Sequence, residues 1–226
     1  MAEPNDDQGK ILRWEDHIVP ILEHPDIHIR DKALVAVSWE SHPRPSELRR
    51  LTFGDVEDEG SFMTVNLTGP HGRDRQLVLR GSMPYLKKWL QEHPVNIRLS
   101  TDAEPLEEAA PTTPIWTQER NNESLSSAQF LAIPARVHER VGIRADVTLH
   151  NIRHSRAKLL ALQLGLRTPV LRERFGWTTD ELRDAVERNE DDSLNADVES
   201  SVPIQCPNCG EWKLQHQPCL WCGADS

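Results

Sequence analysis

Two parts of this sequence could do chemistry: His150-Asn151-Ile152-Arg153, and the four cysteines between Cys206 and the terminal Ser226. The run 148–164 reads as a helix, and residues three apart on a helix project from one face. His150 and Arg153 therefore pair a hydrogen-bonding imidazole with a permanently charged guanidinium fork, a combination suited to holding a phosphate. Ile152, Leu159, Leu160 and Leu164 make an apolar stripe beside them. A pair of this kind is more often a solvated helix face, so the rest of the chain has to decide.

The cysteines form two knuckles, Cys206-Pro207-Asn208-Cys209-Gly210 and Cys219-Leu220-Trp221-Cys222-Gly223. Each CxxC lets two thiolates face one ion, and four thiolates complete a closed tetrahedral Zn2+ site with no vacant ligand position. The expected metal ligands are Cys206, Cys209, Cys219 and Cys222, and the expected role of the zinc is structural. So short a module cannot fold on hydrophobic burial alone, so the metal would supply its stability. Cysteines confined to one end argue for metal rather than a disulfide framework.

A chain of 226 residues can hold one substantial domain and a small appendage. With 37% hydrophobic and 27% charged residues it suits a water-soluble fold, and no segment approaches a membrane span. The polar, acidic stretch 1–10 is not expected to be a signal peptide, and the expected compartment is the cytoplasm. Net charge is −10, yet the only lysines are Lys10, Lys32, Lys87, Lys88, Lys158 and Lys213. Acid excess with scarce lysine fits a cell with a high-salt cytoplasm. Net negative charge ordinarily argues against nucleic acid. In concentrated salt long-range repulsion is screened, and local arginine clusters decide.

The elements that must position these residues read as mainly α. Residues 14–23 form a short helix ended by Pro25, and 29–41 a buried one. In His42-Pro43-Arg44-Pro45, Pro45 keeps Arg44 out of the α region and opens a new helix, holding Arg44 at a rigid entrance. Residues 62–67 and 75–80 alternate as strands around Gly69-Pro70-His71-Gly72, a hairpin loop. Residues 83–93 read as a helix with Leu86, Trp89 and Leu90 on one face, 99–114 as an exposed acidic loop, and 126–141 as a helix stopped by Gly142. Further helices are expected over 169–175 and 180–188, the latter with Asp180 as a plausible N-cap. No internal repeat is present. The division is a flexible N-terminus 1–13, a domain 14–188, an acidic linker 189–203 and a zinc ribbon 204–226.

Arg44-Pro45-Ser46-Glu47-Leu48 with Leu51 and Gly54-Asp55-Val56, then His150-Asn151-Ile152-Arg153-His154-Ser155-Arg156-Ala157, then Phe175-Gly176-Trp177 occur in this order. Together they resemble the three boxes of the tyrosine recombinase (phage integrase) catalytic domain, over about 14–188. The hairpin followed by Tyr85-Leu86-Lys87-Lys88-Trp89-Leu90 is similar to a variant common in halophilic archaea. The resemblance implies the tyrosine recombinase catalytic-domain fold, mainly α with a small β-hairpin or sheet (α+β). It implies double-stranded DNA as partner, with a homo-oligomer or a partner recombinase on that DNA. It also implies that Arg44 and Arg153 clamp the scissile phosphate, that His150 assists proton movement or hydrogen-bonds the phosphate, and that Trp177 donates its indole N–H.

Two parts of the family's chemistry are missing. Ala185, Val186, Glu187 and Arg188 stand where the nucleophilic tyrosine is expected, and the single tyrosine, Tyr85, falls on an earlier helix, where it is expected to pack. Pro70 and His71 stand where the family's hairpin carries its general-acid lysine; His71 is expected to be a plain loop histidine. Few residues precede the match, where relatives carry an N-terminal helical domain. The expectation is a DNA-binding recombinase-family protein defective in cleavage. The alternatives are an active recombinase with an unrecognised or trans-supplied nucleophile, and a zinc-ribbon interaction module on a remnant domain.

Overall fold

The computed structural model describes residues 11–69, 74–98, 109–119, 123–162, 175–176, 178, 203–208 and 212–214. A π-helical turn, Trp14–Ile18, runs into α1, Val19–Glu23. The central element is α2, Ile29–Ser41, buried almost all round. Its first turn is capped by the His28 ring, which accepts the Arg30 N–H. It ends at His42, which adopts the left-handed conformation with φ 50°. After the extended Arg44, Pro45 opens α3, Pro45–Arg49, as the proline pattern predicts.

A three-stranded antiparallel sheet follows in the order β1 (Val56–Asp58), β2 (Met63–Leu67), β3 (Arg75–Leu79). Met63 pairs with Leu79 and Leu67 with Arg75. That register turns Met63, Val65, Leu67 and Leu79 into the core and leaves Gln76 and Val78 exposed. Strand β1 is absent from the sequence reading: three residues, two of them acidic, carry too little alternation to show. The turn from β3 into α4 (Met83–Gln91) is tied to α2 by Glu40. Its buried carboxylate accepts the Arg80, Gly81 and Ser82 N–H groups at 2.7, 3.0 and 2.7 Å. The expected helix 83–93 is observed as Met83–Gln91, and a separate short helix, α5, Pro94–Arg98, follows it.

The chain then returns under β1. Phe53 and Gly54 donate to the carbonyls of Thr113 and Pro111 at 2.9 and 2.8 Å, and Ala109 is buried. The described end of the expected exposed loop is therefore fastened to the core. Trp39, Trp89 and Trp116 are fully enclosed, with the indoles of Trp89 and Trp116 donating to the carbonyls of Ile115 and Leu48. Ser126 and Gln129 form a capping box on α6, Ser127–Val141, which Gly142 ends with φ 78°. Thr148 caps α7, Leu149–Leu162, accepting the Asn151 N–H at 3.0 Å. No helix among the described residues is long and apolar enough to cross a membrane.

Near the C-terminus β4 (Pro203–Gln205) pairs antiparallel with β5 (Trp212–Leu214). The expected helix 180–188, all but Phe175 of the expected helix 169–175, and linker residues 189–202 lie outside the described residues. So do Pro70, His71, Leu164, Trp177, Cys209, Cys219 and Cys222.

Candidate phosphate site

Helix α7 does not carry its histidine and arginine on one shared face. His150 is exposed, its ring 6.1 Å from that of His154, whereas Arg153 is 3% exposed. Three helical steps leave two side chains about 60° apart, and that offset separates rim from interior here. The interior side also carries Ile152, Ser155, Arg156, Lys158, Leu159 and Leu160, all buried. Arg156 lies with its guanidinium carbon 4.6 Å from the centre of the Trp39 ring, so α7 meets α2 partly through a cation on an aromatic face.

Arg153 joins the three sequence boxes. One terminal nitrogen donates to the His42 carbonyl and the other to the Phe175 carbonyl at 2.6 Å. The Phe175 ring stacks on the His42 ring at 4.6 Å and also lies 5.5 Å from the Arg153 guanidinium. The left-handed turn at His42 aims its carbonyl at this fork. Residue 42 leads straight into Arg44, so Arg153 fixes the backbone from which Arg44 projects.

Arg44 occupies the N-cap of α3 with φ −65° and ψ 144°. Its N–H donates to Glu47 Oε2 at 2.6 Å, while its Nη1 stands 3.5 Å from Glu47 Oε1. The Arg44 side chain is 20% exposed and that of Glu47 fully enclosed. Arg75, the first residue of β3, grips the same carboxylate with both terminal nitrogens, at 3.0 and 2.8 Å. Burial pushes the Glu47 carboxyl up, but the bonds and charge of Arg75, the Arg44 N–H and the charge of Arg153 outweigh it. They hold the group below the usual carboxylate range. Gly176, buried with φ 60°, closes the cluster. A Cβ there would come 3.0 Å from Arg75 Nη1 and 3.5 Å from Arg44 Nη1. Among the described residues, the charges of three guanidiniums thus bear on one carboxylate.

A second charged network lies between α2 and α6. Asp31 receives Arg30 at 2.6 Å and Arg136 at 2.8 Å, and Arg30 also reaches Glu119 at 3.1 Å. Arg30 and Asp31 are 4% exposed. Asp31, Glu119 and Arg136 border a cleft of about 530 Å³.

Of the residues expected to act, Arg44 and Arg153 are brought together around His42 and Phe175, and His150 is left at the rim. Cys206 is buried directly after β4. Tyr85 is half-buried against the core, its hydroxyl pKa raised by burial and by the Glu23 charge, as expected of a packing residue. Glu47, Arg75 and the His42 carbonyl escaped the sequence reading. A glutamate three residues after an N-cap is a recognisable capping signal, so Glu47 could have been found. Arg75 had no such signal.

Residues 14–183 match the model of the phage integrase family. The chain is 28% identical over 187 residues to tyrosine recombinase XerA of Pyrococcus furiosus, covering 77% of this chain and 60% of that protein. In structure it resembles XerA recombinase with a TM-score of 0.60 and 21% identity, over 80% of this chain and 61% of the other. It also resembles the Tn1549 transposon integrase solved in complex with circular intermediate DNA, with a TM-score of 0.53 and 15% identity, over 88% and 66%. The chain therefore spans about 60% of the XerA relative it matches. Family match, fold and the ordered arginine boxes agree: the chain belongs to the phage integrase family of tyrosine recombinases.

Proposed function

We propose that this chain binds double-stranded DNA through one backbone phosphate held at the Arg44 cluster, and serves DNA recombination or integration without cleaving DNA itself. The observation that carries this reading is the local charge. Among the described residues, three guanidiniums meet one carboxylate in a protein whose net charge is −10. Preorganised positive charge in a partly dry site is what a phosphate requires. Arg44 is the direct ligand, with His150 and Trp177 as further donors. Arg153 contributes its charge and holds Arg44's backbone in place. A partner recombinase on the same DNA would supply the cleaving tyrosine where cleavage occurs, since a homo-oligomer of this chain would bring only further copies of Tyr85. The scarcity of lysine suits work in a high-salt cytoplasm of the haloarchaeal kind.

Gel shift with duplex DNA across a KCl series tests binding. Wild type binds, and Arg44→Ala binds roughly tenfold more weakly; equal, weak binding by both would sink the reading. A suicide DNA substrate tests the chemistry: no covalent adduct forms, and a trapped adduct would establish an active recombinase.

Cys206, Cys209, Cys219 and Cys222 are proposed to hold a structural Zn2+. Supporting this, the first knuckle begins at the buried Cys206, directly where β4 ends, and β5 follows on its far side. One equivalent of zinc by elemental analysis, lost on Cys206→Ser, is the expected result; a metal-free protein with four reactive thiols would refute it.

A further inference from the structure

Glu47 also borders a second cavity, a cleft of about 220 Å³ completed by Arg50, Leu51, Asp55, Asn66 and Thr68. That volume falls short of the roughly 300–1,000 Å³ that encloses a whole small-molecule ligand, and suits a single small group. The ends of α3 and β2 supply its polar lining. Arg50 stands at the C-cap of α3, and its Nε donates to the Ser46 carbonyl at 3.0 Å, folding the side chain back along the helix. This bond sets the plane of an exposed guanidinium whose terminal nitrogens meet no carboxylate among the described residues. Asn66 gives its Oδ1 to Gln76 Nε2 at 3.1 Å, which leaves its amide N–H groups as donors. Thr68, just past β2, is exposed and adds a hydroxyl. The two carboxylates of the lining are engaged elsewhere. Asp55 Oδ2 accepts the Thr52 N–H and hydroxyl at 2.8 Å each, and Glu47 is gripped by Arg75 at 3.0 and 2.8 Å.

One cation and two neutral donors around a small cavity match a phosphodiester. A guanidinium takes two phosphate oxygens in its fork, and threonine and asparagine side chains commonly donate to backbone phosphates. We propose that this cleft is a second backbone-phosphate site, in which Arg50 grips a phosphodiester while the Thr68 hydroxyl and the Asn66 amide donate to it. Glu47 is common to this cleft and to the Arg44 cluster, so the phosphate held here neighbours the one held there. The proposal rests on the DNA-binding reading and adds to it a contact that no sequence box contains.

The experiment measures duplex-DNA affinity of the full chain across a KCl series and reads the slope of log affinity against log KCl. Each phosphate contact by a cation contributes about 0.9 to that slope. Arg50→Gln should lower the slope by about 0.9 and weaken binding roughly tenfold. Thr68→Val should weaken binding several-fold at an unchanged slope, because a neutral donor displaces no counterion. The double variant should lose less than the product of the two single effects, since both contacts serve one phosphate. Arg140→Gln, an exposed change of the same charge on α6, should leave the slope at the wild-type value. An unchanged slope in Arg50→Gln, or an equal fall in Arg140→Gln, would overturn the proposal. Fully multiplicative losses in the double variant would put the two side chains on different groups and overturn it as well. A second readout needs no DNA: diethyl phosphate is titrated into the protein while the arginine Nε–H resonances are followed by NMR. The resonance missing from Arg50→Gln should shift, and that of Arg140 should stay. If wild type does not bind DNA, the functional reading fails and this titration alone decides on the cleft; a motionless Arg50 resonance refutes it.

Discussion

Two charge networks, each centred on a buried carboxylate, lie beside α2, and they are balanced differently. Around Asp31, two arginines meet two carboxylates: Arg30 and Arg136 against Asp31 and Glu119. Around Glu47, three arginines face one carboxylate among the described residues. A balanced network is closed, since every charge already has its partner, and it ties α2 to α6 and to the loop carrying Glu119. The Glu47 cluster, with more cations than carboxylates among the described residues, is the one proposed to take an anion.

The largest test of this contrast is Arg153→Ala. It removes a buried cation, strands the His42 and Phe175 carbonyls and leaves a cavity. Stability is expected to fall by about 3–5 kcal/mol, and the melting temperature by roughly 10 °C for a chain of this size. Calorimetry checks it; a drop under a few degrees would show that the fork is not what joins the boxes.

His93 supplies a neutral counterpart to both networks. It is fully buried, and burial depresses its pKa to about 4, outweighing the hydrogen bonds to the Pro114 and Ile115 carbonyls. Unfolded, it takes up a proton near the ordinary value of about 6.5. Its stabilising effect is therefore complete above that pH, and is lost as pH falls from about 6.5 toward 4. The loss amounts to about 3 kcal/mol. Denaturant midpoints for wild type and His93→Gln over this window should converge at acid pH; parallel curves would refute the assignment.

The smallest effect separates the networks directly. Added inorganic phosphate at ten times its dissociation constant should stabilise wild type by about 1.4 kcal/mol. Arg136→Ala, half-exposed at its network, should keep that gain and lose under about 1 kcal/mol of its own. Arg44→Ala should lose the gain. If both variants respond alike, the imbalance around Glu47 has no functional meaning.

How far the sequence reaches follows from what each feature depends on. Local signals were legible: the start of α3 at Pro45, the helix starts at Ile29, Ser127 and Leu149 and the stop at Gly142 follow from caps and breakers a few residues long. The ends of β2 and β3 fell within a residue of their alternating pattern. The order of boxes named the family, because Arg44 and Arg153 each sit in a recognisable local string. What stayed hidden is long-range. Arg75 meets Glu47 across a separation of 28 residues, and nothing near either residue announces the other. The burial of Arg153, Arg156 and Lys158 contradicts the simple expectation that a charged helix face is wet. Periodicity cannot reveal that α7 is covered on more than one side. Trp177, His71 and three of the four cysteines lie outside the described residues, so those expectations stand on sequence spacing alone.

The Arg153 fork has a consequence for how the molecule is made. It bonds to a carbonyl 111 residues earlier in the chain and to another 22 residues later. A ribosome must therefore release nearly the whole domain before the fork can close on both, even though α2 and the sheet can form well before. Contacts of such sequence separation form late, because loop closure precedes their reward. The backbone from which Arg44 projects thus acquires its fixed geometry only in a finished molecule, and an interrupted copy without residues 153 and 175 lacks both ends of that fork.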